Sequence, residues 1–220
     1  MNIDGLPVIQ LSDLLPGDVL LYDIPGTFQQ IVTAFDGMGV NHAALYLGDG
    51  MVGEAVIEGV SKNPWNTGSW RSPKAIARRH LQFTPAVLAK AKALTEELRD
   101  YAVGQLFLCA GICLIRQSGA TDPFVKGMYQ YVMDLADSFL QSLQDSKKKP
   151  LICSEYVYRS YTEAVPPVEL KVDLFRGAKL SQAEKDAILA KLAKLSASFV
   201  SPGDLLLTPS MVTLGVIDVY

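Results

Sequence analysis

Short apolar runs separated by glycine, proline and aspartate characterise the first third of the chain and predict β-strands. The run VLLY at residues 19–22 follows the turn signal LPGD and is typical of a short buried strand. Residues 40–47 and 51–57 are largely apolar on both sides of the Gly48-Asp49-Gly50 turn, which predicts a β-hairpin. A further strand is predicted at residues 72–83, around the run AIA.

Helix-forming residues and capping signals dominate much of the remaining chain. Thr84 before Pro85 is typical of a helix start, because proline is favoured at the first helical position. The box SQAE at residues 181–184 is a second start signal, since its serine and glutamate satisfy each other's backbone N–H groups. The predicted helices cover residues 28–35, 86–101, 123–143, 152–164 and 182–195.

The two ends of the chain share a short motif. PGDVLL at residues 16–21 resembles PGDLLL at residues 202–207, and a motif this short does not define a repeat architecture. It predicts two turns that each lead into a strand of one sheet, the second strand lying at residues 205–207. With helices gathered in the middle of the chain, the predicted fold class is α+β, in a single domain over residues 1–220.

Composition and charge exclude several classes of protein. A formal net charge of −3 argues against nucleic acid as a main partner, because phosphate binding needs clustered Lys and Arg. The most apolar run, residues 106–115, is shorter than the ~20 residues that cross a bilayer, so no transmembrane segment is predicted. No signal peptide is recognisable at the N-terminus, and three cysteines without framework spacing suit a reducing compartment. A cytoplasmic protein is therefore predicted.

Cys153 is the strongest candidate for chemistry, because it follows Pro150 at the predicted start of a helix. The N-terminal end of a helix carries partial positive charge and unpaired N–H groups. That field stabilises a thiolate and lowers the pKa of the thiol, and the same N–H groups can hold the oxyanion of an acyl-transfer intermediate. The alternative interpretation is a small buried apolar side chain.

His42 and His80 are the two histidines of the sequence, which narrows the search for a base. His42 lies on the predicted strand at residues 40–47, where alternation places it on one face with Ala44 and Tyr46. A strand holds an imidazole rigidly and the small neighbour leaves room beside it. The alternative is a structural histidine with no part in chemistry.

The other two cysteines, Cys109 and Cys113, are predicted to be core residues. They are spaced i, i+4 inside the apolar run, without a cap or a nearby base. They lack the C-x₂-C spacing of a zinc site, and the chain has too few histidines to complete one. No phosphate-binding or dinucleotide fingerprint is present. Neither a metal nor a cofactor is predicted.

Glu54 and Glu58 are the candidates for a carboxylate that orients His42. A three-residue loop at Gly48-Asp49-Gly50 would pair Leu47 with Met51 and place both glutamates on the face of His42, diagonally across the hairpin. A two-residue turn would shift the register by one and point both glutamates away. The residues alone leave the two registers open.

These motifs, taken in order, resemble a known family. The segment NHAALYLGDG at residues 41–50, then Glu54-Ala55, then CSEYVYR at residues 153–159, resembles the circularly permuted NlpC-type papain-like proteins. The nearest resemblance is to their YiiX-like branch, which is related to lecithin:retinol acyltransferase. The order of histidine, acidic residue and cysteine matches that group, whereas papain has its cysteine first.

The resemblance implies a permuted papain-like fold, with a small antiparallel sheet packed against a helix that carries the nucleophile. It assigns Cys153 as nucleophile, His42 as base and Glu54 as the residue that orients the base. Relatives often have a substrate-binding tyrosine a few residues after a glycine, in the region before the cysteine. The matching segment of this chain, Gly104-Gln105-Leu106-Phe107, has a phenylalanine instead. Tyr46 and Phe107 are the predicted substrate-binding residues, and Phe107 favours an apolar ligand.

The predicted function is that of a cysteine hydrolase that cleaves an amide bond in a peptide or cell-wall fragment through a thioester acyl-enzyme. One alternative is a lipid acyltransferase or lipid amidase, in which a lipid-like acyl group is the substrate. Another is a binding module that keeps the fold without activity. The sequence predicts no oligomeric state.

Overall fold

The computed structural model describes residues 3, 5–24, 33, 36–56, 59–65, 74–96, 111, 113, 127, 134, 151–192 and 196–218. Within these ranges, seven strands form one sheet. They are β1 (Val8–Ile9), β2 (Val19–Tyr22), β3 (His42–Gly48), β4 (Met51–Val56), β5 (Gly59–Pro64), β6 (Lys74–His80) and β7 (Met211–Asp218).

The strand order across the sheet is β1-β7-β6-β2-β3-β4-β5. Neighbouring strands are antiparallel except β1 and β7, which are parallel. Strand β3 lies inside the sheet, between β2 and β4, so the predicted base stands on a strand that is hydrogen-bonded on both sides. The fold is therefore mixed, with strands from both ends of the chain in one sheet.

Four α-helices occur in the ranges given above, together with two short 3₁₀ turns at Leu11–Asp13 and Ser196–Phe199. The helices are α1 (Pro85–Glu96), α2 (Cys153–Thr162), α3 (Gln182–Leu192) and α4 (Pro202–Leu207). Helices α1 and α2 contact each other. Helix α1 packs on strands β3, β4 and β5, and helix α2 packs on strands β3 and β4. These two helices cover one face of the sheet over strands β3, β4 and β5.

The two faces of the sheet carry separate apolar clusters, because side chains alternate along each strand. On the helix-covered face, Leu21 and Leu45 pack with Tyr156 and Tyr161 of α2. The opposite face carries a second cluster, which includes Leu20, Tyr22, Ala44, Tyr46 and Val52. Burial of the first cluster fixes α2 against the sheet and so sets where its N-terminal end lies.

The β3–β4 hairpin combines a two-residue turn with a bulge. Asp49 and Gly50 both have positive φ angles, 54° and 71°, as a type I′ turn requires. Gly48 pairs with Met51, but Tyr46 pairs with Val52, so the register shifts by one residue between these pairs. Beyond this bulge, from Tyr46 and Val52 onward, the strands pair in the register that a three-residue loop would give.

Most predicted elements are confirmed where the structure describes them. Four strands and three helices match the predictions to within a few residues at their described ends. They are β2, β3, β4 and β6, and α1, α2 and α3. The helix predicted at residues 28–35 lies largely outside the described residues, and the one at 123–143 does so apart from two isolated positions. The edge strands β1 and β5 and the strand β7 were not predicted.

The strand predicted at residues 205–207 is wrong, because these residues belong to helix α4. Ser201 caps this helix: its hydroxyl accepts a hydrogen bond from the Asp204 N–H, and the Asp204 carboxylate accepts one from the Ser201 N–H. Pro202 then occupies the first turn of the helix. The sheet is also larger than the small antiparallel sheet predicted, since it has seven strands and one parallel pair.

Candidate active site

Cys153 is the first residue of helix α2, as the sequence predicts. Ile152 precedes it in an extended conformation and supplies no side-chain cap, so the N–H groups of the first turn have no partner within the helix. The Cys153 side chain is buried, with 3% of its surface exposed. A thiol in this position lies in the positive field of the helix end.

The residues after Cys153 attach the start of α2 to the rest of the molecule. The Ser154 hydroxyl donates to the Val200 carbonyl at 2.6 Å, and the Ser198 hydroxyl donates to Glu155 Oε1 at 3.3 Å. Both serines and Glu155 are buried. The motif CSE therefore combines the candidate nucleophile with two side chains that hold the helix end in place.

His42 and Glu54 form a buried pair across the hairpin. Nε2 of His42 lies 2.8 Å from Oε2 of Glu54, and both side chains are largely inaccessible to solvent. Glu54 pairs directly with Ala44, two residues along β3 from His42. The register thus places Glu54 diagonally across from the imidazole, on the same face of the sheet.

Cys153 and His42 lie within hydrogen-bonding reach of each other. Nε2 of His42 is occupied by Glu54, which leaves Nδ1 as the ring nitrogen available to the thiol. The backbone N–H groups of Ala43 and Ser154 also bond the sulfur. Helix α2 and strands β3 and β4 therefore bring Cys153, His42 and Glu54 into one chain of contacts.

Two residues that the sequence analysis missed hold the Glu54 carboxylate. The Tyr22 hydroxyl donates to Oε2 at 3.0 Å, and the Asn63 side-chain amide donates to Oε1 at 3.0 Å. Asn63 also donates to the Ser61 hydroxyl at 2.9 Å. Tyr22 gave a weak signal as the polar end of an apolar strand, whereas Asn63 lies on strand β5, which was not predicted.

Asn41, immediately before His42, anchors the loop that follows β2. Its side-chain oxygen accepts from the Ile24 N–H at 2.8 Å, and its amide donates to the Ile24 carbonyl at 3.1 Å. The amide also contacts Asp23 and Thr33. The Asn-His pair in the sequence thus joins a structural anchor to the candidate base.

Electrostatics in this buried cluster favour a thiolate–imidazolium pair. Burial alone would lower the pKa of His42, but the Cys153 thiolate and the Glu54 carboxylate outweigh it and raise that pKa to about 10. Burial opposes ionisation of Cys153, yet His42 and the N–H groups of Ala43 and Ser154 lower its pKa. Despite burial, His42, Asn63 and Tyr22 keep the pKa of Glu54 below its ordinary value.

The other predicted site residues have different surroundings. Tyr46 is buried on the face of His42, and its hydroxyl accepts from the Gly50 N–H at 3.1 Å, which supports the hairpin turn. Phe107, Glu58 and Cys109 lie outside the described residues. Cys113 is buried, as predicted, with its sulfur 3.8 Å from Asp36 Oδ1.

His80 lies away from this cluster, on β6, where two hydrogen bonds and a ring contact fix its side chain. Its Nδ1 accepts from the Gln82 N–H at 2.9 Å, so Nε2 is the donor to the Glu169 carbonyl at 2.9 Å. Its ring packs on Tyr161 at a centroid distance of 5.0 Å. These contacts make His80 a structural histidine.

No cluster of three or more His, Cys, Asp or Glu side chains within the described ranges is arranged to hold a metal ion. The described helices include none that is long and apolar enough to cross a membrane. The contacts among Cys153, His42 and Glu54 make this cluster the candidate site for chemistry.

The fold and site thus define a mixed α/β protein with a buried cysteine, histidine and glutamate at the junction of a helix and a sheet. No protein-family profile matches the chain. It is similar to a curated protein of Escherichia coli strain K12, the probable lipoprotein peptidase YaeF, with 28% identity over 165 residues. This match covers 74% of the chain and 60% of YaeF, so it spans about three fifths of its relative's length.

The chain is also similar to a solved structure, the metalloprotein yiiX from Escherichia coli O157:H7. The two share 14% sequence identity at a TM-score of 0.46, over 90% of this chain and 94% of that one.

Proposed function

We propose that this protein is a cysteine hydrolase of the peptidase or amidase type, in a single domain of permuted papain-like fold. The observation that carries the proposal is the position of the His42 imidazole between the Glu54 carboxylate and the Cys153 sulfur. A nucleophile, a base and a residue that orients the base are the parts that covalent acyl transfer requires. Similarity to a protein named a probable peptidase supports the same class.

Acylation begins with the Cys153 thiolate and the His42 imidazolium. The sulfur attacks the carbonyl carbon of the substrate, a C–S bond forms, and the carbonyl electrons move to oxygen. His42 then gives its Nδ1 proton to the leaving nitrogen as the C–N bond breaks. An amine leaves and a thioester on Cys153 remains.

Deacylation regenerates the thiolate. Neutral His42 accepts a proton from a water molecule, whose oxygen attacks the thioester carbonyl. The C–S bond then breaks, the carboxylic acid leaves, and Cys153 is again a thiolate beside an imidazolium. In both steps the oxyanion would be held by N–H groups at the start of α2, including that of Cys153.

Glu54 acts on His42 rather than on the substrate. Its carboxylate accepts from Nε2, which directs Nδ1 at Cys153 and stabilises the imidazolium. The proposed substrate is an amide bond in a peptide or cell-wall fragment. A cytoplasmic location remains a prediction of the sequence.

The test is turnover of peptide, cell-wall and lipid substrates by wild-type protein and matched variants. Cys153→Ala and His42→Ala should each reduce turnover by roughly 10³-fold or more, and the double variant should be no worse, because the pair acts as a unit. Cys113→Ala, which removes another buried thiol, should leave turnover unchanged. Wild-type protein incubated with substrate should also show an acyl adduct on Cys153 by mass spectrometry.

Glu54→Gln provides a further arm of the same experiment. It keeps the shape of the side chain but removes its charge, so turnover should fall about 100-fold, as an unpaired imidazolium is harder to form. A loss at Glu58→Gln instead would assign the orienting role to the other glutamate. Full activity of His42→Ala would contradict the proposed mechanism, and acyl transfer to a lipid instead of water would favour the acyltransferase alternative.

A further inference from the structure

We propose that Tyr22 is a positioning residue of the active site, which holds the Glu54 carboxylate and through it the orientation of His42. The proposal rests on the function proposed above. It assigns a role to a side chain on β2, a strand that carries none of the three residues of the cysteine, histidine and glutamate cluster.

Tyr22 contacts both partners of the buried pair. Its hydroxyl donates to Oε2 of Glu54 at 3.0 Å, the same oxygen that lies 2.8 Å from His42 Nε2. Its ring meets the His42 ring edge-on, at a centroid distance of 5.0 Å and an interplanar angle of 60°. Rotation of the carboxylate or of the imidazole would therefore break a contact with Tyr22.

The sheet topology explains how a side chain on β2 reaches a carboxylate on β4. Tyr22 is paired with His42 on one side of β3, and Glu54 is paired with Ala44 on the other. These four side chains share a face, so the bridge from Tyr22 to Glu54 passes over β3. The methyl group of Ala44, which is fully buried, is small enough to leave that path open.

Asn63 and Trp65 complete the support of this bridge from strand β5 and the residue after it. Asn63 occupies Oε1, so the two carboxylate oxygens have different fixed donors. Trp65 packs edge-on against Tyr22 at a centroid distance of 5.4 Å and an interplanar angle of 83°. Tyr22 is thus itself held, as a residue that positions others must be.

Burial, together with the charges around the carboxylate, keeps Tyr22 a hydrogen-bond donor. Burial, followed by the nearby Glu54 and Cys153 charges, raises the pKa of Tyr22 well above its ordinary value. Glu54 interacts electrostatically with three described titratable groups, which are His42, Tyr22 and Tyr156. Cys153 interacts with His42 and Tyr22. The phenol therefore stays protonated wherever the thiolate–imidazolium pair exists.

Tyr22→Phe tests the role, because it removes the hydroxyl and keeps the ring that packs on His42. Without this donor the carboxylate is less firmly held, His42 is less firmly directed at Cys153, and the thiolate loses stabilisation. The midpoint of Cys153 thiolate formation should rise by about half a pH unit or more, and kcat should fall about tenfold at unchanged KM. The midpoint is read from the ultraviolet absorbance of the thiolate, with Cys153→Ser in each background subtracted.

Tyr161→Phe is the matched control. It deletes another buried tyrosine hydroxyl, which donates to the Gly17 carbonyl at 2.6 Å, far along α2 from Cys153. Both variants should lose some thermal stability, but Tyr161→Phe should keep the wild-type thiolate midpoint. The pH midpoint therefore separates a positioning role from a merely structural one.

The outcomes distinguish this proposal from the function on which it rests. The midpoint of Cys153 thiolate formation could be low in wild type and equally low in Tyr22→Phe. That result would overturn the role of Tyr22 and leave the proposed function standing. A wild-type Cys153 that ionises only near the ordinary thiol value of ~8.5 would overturn both. A midpoint that rises in Tyr22→Phe and not in Tyr161→Phe would support the role of Tyr22.

Discussion

The chemistry proposed at Cys153 depends on the immediate surroundings of individual side chains. Burial disfavours every isolated charge, so the charged forms of Cys153, His42 and Glu54 depend on one another. Each has at least one partner that stabilises its charged form. A buried cysteine or histidine alone would be neutral, and the three-residue arrangement converts a core position into a candidate nucleophile.

The pH dependence of turnover is the prediction that follows at this scale. The pKa of Cys153 is lowered and that of His42 is raised to about 10, so the ion pair exists between the two values. Turnover should rise with pH through the Cys153 value and fall as His42 loses its proton, well above the ordinary histidine value of ~6.5. A pH profile of kcat/KM measures both limbs.

A profile whose alkaline limb lies at the ordinary histidine value would contradict this assignment of charges. The two limbs belong to the pair as a whole, because its two titrations are linked. In Glu54→Gln the window should narrow from the alkaline side, since the imidazolium loses its carboxylate partner.

At the scale of elements, the bulge in the β3–β4 hairpin decides whether Glu54 can meet His42. A two-residue turn with no bulge would pair Leu45 with Glu54 and turn the carboxylate to the helix-covered face. The bulge shifts the pairing so that Glu54 lies opposite Ala44. Gly48, at a φ of 96°, adopts a conformation that other residues rarely tolerate.

Gly48→Val should therefore weaken the hairpin by at least about 1 kcal/mol and reduce turnover, because it penalises the bulge that sets the register. Its added Cβ would also approach Pro16 Cγ at 3.3 Å. Deletion of Gly48 is the informative counterpart: Leu47 can then pair with Met51 across the same Asp49-Gly50 turn, and Glu54 stays opposite Ala44. The deletion variant should keep more activity than Gly48→Val, as measured by turnover and urea unfolding.

Equal activity of Gly48→Val and wild type would show that the register does not depend on the bulge. A deletion variant less active than Gly48→Val would contradict the expected pairing of Leu47 with Met51.

The two PGD motifs show that the same short turn sequence can precede a strand or begin a helix. In both, the aspartate accepts from the N–H three residues earlier, in the pairs Asp18 with Leu15 and Asp204 with Ser201. In both, the aspartate also lies near an arginine. The same turn precedes strand β2 in one case and is the first turn of helix α4 in the other.

At the scale of the molecule, buried polar side chains connect the sheet to the C-terminal segments. Arg78 on β6 is buried and donates to four backbone carbonyls at and beyond the end of α4; they belong to Leu205, Leu206, Thr208 and Met211. Asp36 accepts from the Gly203 N–H at 2.8 Å and from Arg176 at 3.0 Å. These contacts hold α4 against the sheet.

Arg78→Met should lower the free energy of unfolding by about 2–4 kcal/mol, because four carbonyls, three of them in buried hydrogen bonds, lose the donor that satisfies them. Arg78→Lys keeps the charge with fewer donors and should give an intermediate loss. Urea unfolding of wild type, Arg78→Lys and Arg78→Met measures the free energy of unfolding of each protein and so tests this ranking. A methionine variant as stable as wild type would show that the carbonyls find other partners.

The pattern of residues alone determined most of the elements near the site. Short apolar runs beside turn signals predicted β2, β3, β4 and β6. Start signals or helix formers predicted α1, α2 and α3, because both kinds of signal are local in sequence. The position of Cys153 at a helix start is confirmed. The same local reasoning failed at residues 205–207, where an apolar run fits a strand or a short buried helix equally well.

Only the tertiary structure decided which side chains meet. The sequence left the hairpin register open, and the bulge between Tyr46 and Gly48 settled it in favour of the face of His42. Tyr22 and Asn63 are distant from each other in sequence, and only the pairing of β2, β3, β4 and β5 brings them to one carboxylate. Local periodicity specifies an element and its faces, whereas contacts between elements depend on register and packing, which are set by the whole fold.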